Sequence, residues 1–410
     1  MHRVFYQPSM NRQKLPRSIV ALGLVSLFMD MSSEMIHSLL PVFLVTVLGA
    51  SALSVGLIEG IAEATASIAK VFSGVISDWM GRRKPLVLLG YGLAALTKPL
   101  FPLATGIGAV LTARFIDRIG KGIRGAPRDA LIADITPPEI RGAAYGLRQT
   151  LDTVGAFSGP LLAMALMAAT QNNFRLVFWV AVIPAFVCVL LIIFGVKEPE
   201  MTHPAAHPAI KIRSPLRRDN LRRLVPRFWW VVAFAAVLTC ARFSEAFLLL
   251  RAENVGLAVT WVPAMLIVMN VVYAISAYPL GKLSDNGGRR RLLAWGIGFL
   301  IVSDLVLALA SNVWLVGLGA ALWGLHMGAT QGLLAVLVAD AAPADLRGTA
   351  FGVFNLASGL ALFAASVLAG GLWTVFGPAM TFYAGAAFAT LALIGLLSRL
   401  NTRKPKQQLS

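Results

Sequence analysis

Along nearly the whole chain, apolar segments of membrane-crossing length alternate with short polar turns. A hydrocarbon layer takes about 20 helical residues to cross. The segments therefore read as transmembrane helices. They fall at about 19–48, 53–77, 86–103, 107–133, 142–170 and 177–196, then at 228–250, 260–281, 292–310, 313–339, 348–373 and 379–398. The expected fold is an all-α integral membrane protein of twelve transmembrane helices in two six-helix halves related by a pseudo-twofold axis. The expected divisions are a cytoplasmic N-terminus at 1–17, a first half at 18–196, a basic linker at 197–227, a second half at 228–398 and a C-terminus at 399–410. With 57% hydrophobic and 13% charged residues among 410, a soluble fold has too little interior to hide the apolar surface. No signal-peptide cleavage site is visible, so the first span reads as an uncleaved anchor. Cys188 and Cys240 both lie in apolar segments, which supports neither a disulfide framework nor a cysteine metal site.

One short motif occurs twice. The stretch Gly74-Val-Ile-Ser-Asp78-Trp-Met-Gly81-Arg82-Arg83 returns as Gly281-Lys-Leu-Ser-Asp285-Asn-Gly-Gly288-Arg289-Arg290. The first glycine suits close helix approach. An aspartate at a helix end can accept hydrogen bonds from a neighbouring helix N-terminus and pair with the arginines, which makes a breakable latch. The alternative is a basic loop that only fixes topology. A second repeat pairs Asp134-Ile-Thr-Pro137 through Arg141-Gly142 with Asp340-Ala-Ala-Pro343 through Arg347-Gly348. Glu34 and Glu245 correspond more loosely. Such duplication places a substrate path between the halves, near the bilayer midplane.

The paired turns resemble the loop 2–3 and loop 8–9 signature of the major facilitator superfamily, and the resemblance extends over nearly the whole chain. It implies a secondary transporter.

Basic residues set the orientation. Arg82, Arg83 and Lys84, the linker arginines, and Arg289, Arg290 and Arg291 all fall on the side of the termini. The opposite loops hold little beyond Arg175 and Arg251. Both termini are therefore expected in the cytoplasm, with the chain in the inner (plasma) membrane. The net charge of +17 reads as topology rather than nucleic-acid affinity.

Charges at membrane depth each need a reason. Span four carries Arg114, Asp117, Arg118, Lys121, Arg124, Arg128 and Asp129, which at 100° per residue occupy an arc of roughly 140°. That face must meet the cavity, counter-charges or the cytoplasmic surface. Arg114 stands where the superfamily has its fourth-span arginine, which the resemblance associates with proton coupling. The match is partial, because Asp117 and Arg118 replace the usual glutamine and glycine. In span one, Asp30, Glu34 and His37 share a face. Burial favours a neutral carboxyl and a nearby arginine favours its anion, so a group between those effects suits proton carriage. Asp30 or Glu34 is expected to take the proton with Arg114 as partner, Asp117 joining the set; a static ion pair is the alternative. Glu59, Glu63 and Lys70 read as partners for the span-four bases, and Arg148 and Asp152 as an internal pair. His37, Arg118, Lys121, Arg242, Glu245 and His326 are expected to line the substrate cavity. Asp304 has no evident role.

Gly155-Ala-Phe-Ser-Gly159-Pro160 in span five resembles the Gly-x-x-x-Gly-Pro signature of proton-driven exporters in the superfamily, without its final glycines. It reads as a hinge, or as a plain packing motif. The expected function is proton-coupled export of a small molecule by alternating access. A second reading is nickel- or cobalt-type metal export through Asp30, Glu34, His37 and His326, fed by Glu198, Glu200, His203 and His207. A third is a non-transporting receptor or scaffold. No nucleophile–base pair or phosphate loop suggests an enzyme. The expected partners are the lipid bilayer, protons and the small-molecule or ion substrate, with no cofactor and no nucleic acid, the chain acting as a monomer.

Overall fold

The computed structural model describes residues 15–80, 82–137, 140–198, 222–283, 289–342 and 346–401. Eleven helical segments among them are long and apolar enough to cross a membrane. The twelfth span is Ile107–Ile135, span four, whose charged face lowers its hydropathy. Spans two, five and six are the helices Ala52–Met80, Arg141–Ala169 and Phe174–Gly195. Spans eight to twelve are Ala264–Leu283, Arg289–Leu309, Val313–Ala341, Arg347–Phe376 and Pro378–Asn401.

Three spans are broken where the hydropathy pattern predicts continuous helices. Span one divides into Arg17–His37 and Leu40–Thr46, with Pro41 opening the second piece. Span three divides into Lys84–Thr97 and Leu100–Leu103, with Pro99 between them. Proline belongs in a first helical turn, where no backbone donor is needed, so these breaks follow from its chemistry. Span seven divides into Pro226–Ala241 and Ala246–Asn254 without a proline. The freed backbone there is recovered locally: Ser244 N donates to Ser366 Oγ at 3.3 Å, and Ala246 N to Ser244 Oγ at 3.2 Å.

The packing repeats between halves. Span one lies on five and six, two on four, three on four and six. In the second half, seven lies on eleven and twelve, eight on ten, nine on ten and twelve. Adding six to each number in the first set gives the second. The interface between halves obeys the same symmetry, since spans two and eleven pack together and so do five and eight. The two–eleven contact is the longer one, and small residues allow it. A Cβ on Gly60 would meet Phe363 O at 3.0 Å, and one on Gly370 would meet Ala52 O at 2.6 Å.

At the end away from the termini, Leu40–Thr46 of span one packs on Ala246–Asn254 of span seven. Thr260 Oγ1 there donates to Asn172 Oδ1. Arg175 and Arg251, the basic residues of that side, close helix ends. Arg175 donates to Pro102 O and Ala104 O at 3.0 and 3.1 Å, and Arg251 donates to Leu307 O and Ala310 O at 2.9 and 2.8 Å. Each guanidinium thus satisfies carbonyls at a helix C-terminus.

Candidate substrate and proton-coupling site

Span four positions most of the site. Its charged residues recur every three or four positions, so one face of an otherwise apolar helix presents them in a row. The helix approaches its neighbours closely through glycine. A Cβ on Gly120 would meet Ala94 N of span three at 3.1 Å, and one on Gly122 would meet Ala66 O of span two at 2.8 Å. The charged row therefore sits against both neighbours rather than against lipid.

The carboxylates of span two meet that row. Glu59 Oε2 accepts from Arg114 Nη2 at 2.6 Å, with both side chains buried, and Glu63 Oε1 lies 3.2 Å from Arg118 Nη2. Both acids pair with span-four bases, as their placement in sequence suggests. Arg114 also donates through Nη1 to His37 Nε2. Since a guanidinium only donates, His37 Nε2 is an acceptor and its lone pair is taken. His37 Nδ1 faces Glu34 Oε1 at 3.7 Å. The expected direct pairing of Arg114 with Asp30 or Glu34 is thereby corrected: Arg114 is held by Glu59 and His37. The guanidinium reaches Glu59 across the two–four contact and His37 of span one, and no ion pair joins it to Asp30 or Glu34.

Lys98 is part of the site and was not singled out in the sequence. Its ammonium is wholly buried, 3.0 Å from Asp117 Oδ1 and 3.1 Å from Ser33 Oγ. Asp117 is thus engaged from span three. The signal was a lysine inside an apolar segment, which at membrane depth demands a partner. Tyr91 was missed as well. Its ring lies 4.4 Å from the Arg124 guanidinium carbon, and its hydroxyl accepts from Arg128 Nη1 at 3.3 Å.

Two cavities follow the row. The central one, about 310 Å³, lies between the halves and is lined by Glu34, His37, Arg118 and Lys121 from the first half and Arg242 and Glu245 from the second. Arg242 and Glu245 flank the break in span seven, and irregular backbone at membrane depth is tolerated where it lines a cavity. A second cavity of about 330 Å³ lies further along spans one, four and five, where Asp30, Lys121, Arg124, Arg128, Arg148 and Asp152 line it. Glu34 and Lys121 border both. Asp30 and Asp152 line the same cavity, and Arg148 Nη2 lies 3.1 Å from Asp152 Oδ2.

His326 does not join the cavity. It is fully buried between spans nine and ten, where its Nδ1 donates to Gly296 O at 2.7 Å. The grouping of Asp30, Glu34, His37 and His326 is corrected accordingly, because span ten turns His326 away from the interface between halves. Among the described residues no group of three or more histidine, cysteine, aspartate or glutamate side chains is arranged to hold a metal ion. Glu198 instead accepts from Lys84 N at 3.2 Å, and Glu200, His203 and His207 lie outside the described residues.

The repeated turn is only partly described. The side chains of Asp78 and Arg289, and residues Gly81, Asp285 and Gly288, lie outside the described set, as do structural details at Gly281. Arg82 and Arg290 are exposed. Arg83 Nη1 donates to Ser77 Oγ at 2.7 Å, and its Nε lies 3.4 Å from Asp134 Oδ2 at the end of span four. A Cβ on Gly74 would meet Ala126 Cβ at 3.5 Å, an ordinary contact, so close approach does not require glycine there. At Gly155 and Gly159 it does. A Cβ on Gly155 would meet Leu27 Cα at 3.1 Å, and one on Gly159 would meet Met31 O at 2.7 Å, so both glycines seat span five on span one. Pro160 lies within a continuous helix.

Two related six-helix halves around a charged cavity define a polytopic membrane transporter. The chain belongs to the major facilitator superfamily, whose family model matches residues 22–272 and 243–410. It is 32% identical to an uncharacterized MFS-type transporter of Methanocaldococcus jannaschii, over 94% of this chain and 96% of that one. It is 24% identical to the multidrug resistance protein MdtH of Yersinia enterocolitica, covering 90% and 91% of the two chains. Among solved structures, the nucleoside transporter NupG superposes with a TM-score of 0.75 at 12% identity, covering 94% of this chain and 99% of that one. The D-xylose–proton symporter superposes with a TM-score of 0.71 at 17% identity, covering 93% and 95%. Likeness at that level speaks to the fold alone.

Proposed function

We propose that the protein exports a small molecule against proton entry, by alternating exposure of the central cavity to the two sides of the inner membrane. The observation that carries this reading is that both halves line one charged cavity, Glu34 and Lys121 on one side and Arg242 and Glu245 on the other. Movement of one half against the other must then change access to that space. The contact of Leu40–Thr46 with Ala246–Asn254 supports closure at the end away from the termini. The basic loops at the opposite end support placing the termini in the cytoplasm, so the cavity would receive its cargo from inside the cell. Relatives named multidrug resistance proteins support export.

The proton path is assigned to Asp30, Glu34 and Asp152, carboxyls that line the cavities. Arg114 and Asp117 hold the helices around them.

The test compares cells with and without the protein across drugs, metabolites and metals, with accumulation of each compound measured. Export predicts higher accumulation in cells lacking the protein, and a protonophore should erase the difference. Lower accumulation in those cells would reverse the direction and overturn the reading.

A further inference from the structure

We infer that the cargo of the central cavity is a small organic anion, held between Lys121 and Arg242 with Arg118 beneath it. This rests on the transporter reading above and adds a substrate class to it. The unmet hydrogen bonds point that way. Arg118 is 3% exposed and spends Nη2 on Glu63, while its Nε and Nη1 are buried without an acceptor. Arg114 Nε, Arg124 Nη1 and Arg148 Nε are in the same condition. Among the described residues lining the two cavities, no buried acceptor is left without a donor. Buried polar groups normally find partners, and here the shortfall lies wholly with acceptors. An anion supplies them.

The ion pairs leave the central cavity with two bases, Lys121 and Arg242, facing two acids, Glu34 and Glu245. Arg114 with Glu59, Arg118 with Glu63, Lys98 with Asp117 and Arg148 with Asp152 pair one to one. Lys121, which is exposed, and Arg242, which is half-buried, make no side-chain hydrogen bond or ion pair with a described residue, and they come from opposite halves of the same cavity. A carboxylate between them would bridge the halves. Glu34 and Glu245 border the space too, and in the proposed exchange they would carry protons on the half-cycle in which the cargo site is empty. The row continues outward. Lys121 borders both cavities, and Arg124 and Arg128 follow it in the second. This is a basic track from the centre toward the end that carries the termini. The central cavity, about 310 Å³, is at the small end of ordinary ligand sites, roughly 300–1,000 Å³, which fits a compact molecule. Exit of an anion with entry of a proton moves charge in the direction an inside-negative potential favours.

The experiment measures binding without any gradient. The full-length protein in lipid nanodiscs is warmed with benzoate or naphthoate, with the matching amides, and with the matching amines, and its Tm is followed. The carboxylates should raise the Tm while amides and amines leave it unchanged. Lys121→Gln and Arg242→Gln should each weaken carboxylate binding about tenfold or more, since a charge-assisted hydrogen bond is lost. Lys121→Arg should retain binding, which separates charge from misfolding. Stabilisation by the amines would overturn the anion inference and leave the transporter reading standing. Equal stabilisation by all three classes would do the same. Stabilisation by none would overturn the inference together with the central cavity as a binding site. Carboxylate binding unchanged in both glutamine variants would place the site elsewhere and overturn it too.

Discussion

Lys98 Nζ and Asp117 Oδ1 stand 3.0 Å apart inside the first half, with the lysine wholly sealed from solvent. The pair joins span three to span four through a member of the charged row itself. Other members of the row keep buried donors without partners, at Arg114, Arg118 and Arg124.

Removing one member of this pair should damage the fold. A buried charge stripped of its partner costs about 3–5 kcal/mol, whereas replacing both by apolar residues is often neutral. Lys98→Met and Asp117→Leu should each lower the Tm in detergent, and the double variant should recover most of the loss. A single variant as stable as the parent would mean that water or another residue compensates the exposed charge.

Gly159 should tolerate little. Its backbone lies against Met31 and Glu34 of span one, and an added Cβ would stand 2.8 Å from Glu34 Cβ. Gly159→Leu should cost about 1–3 kcal/mol by overpacking and displace Glu34 from the cavity. Gly74→Ala, which meets only ordinary contact, should change neither the Tm nor transport. Equal behaviour of the two variants would remove the distinction drawn between a packing glycine and a tolerant one.

The membrane-side turn gives a prediction about motion rather than stability. The Arg83–Asp134 pair is partly exposed, at 20% and 49%, and pairs of that kind contribute little to stability, about 0–1 kcal/mol. Asp134→Asn should leave the Tm unchanged while lowering the transport rate, if the pair forms and breaks in the cycle. Asp78→Asn and Asp285→Asn should also slow transport without loss of membrane insertion. Parental rates in all three variants would leave these loops with a topological role only.

Much of this was legible in the sequence because hydropathy and helical period are local properties. Twelve spans, their division into related halves and the charged face of span four all follow from spacing. The assignment of Glu59 and Glu63 to the span-four bases followed from charge alone. What failed depended on rotation of one helix against another. His326 was placed in the cavity by its residue type, yet span ten directs it to the Gly296 carbonyl. Arg114 was given to span one because both spans line the cavity, yet Glu59 is the nearer acid. Lys98 was overlooked because its partner is on the next span, and no periodicity within span three marks it. The break at Arg242–Glu245 carried no proline to announce it.

The carboxyls of the two cavities give the last prediction. Asp30 and Asp152 line one cavity, and two carboxyl groups that approach to hydrogen-bonding distance can do so only by sharing a proton. Arg148 holds Asp152 from the other side at 3.1 Å. Motion of span five against span one would separate the two acids and release that proton. Asp30→Asn should fix the neutral form at its position, so uphill transport driven by a pH gradient should stop while exchange of substrate down its own gradient survives. Asp152→Asn should do the same, because either amide removes the shared proton. Glu34→Gln tests the separate carboxyl that borders both cavities and should reduce coupling independently. The measurement is gradient-driven and exchange transport in vesicles, run side by side for the three single variants and the Asp30/Asp152 double variant. If Asp30 and Asp152 share one proton, both single variants and the double variant should all lose uphill transport and keep exchange. Loss in only one single variant would assign the proton to that residue alone, and full uphill transport by all four would remove these acids from the proton path.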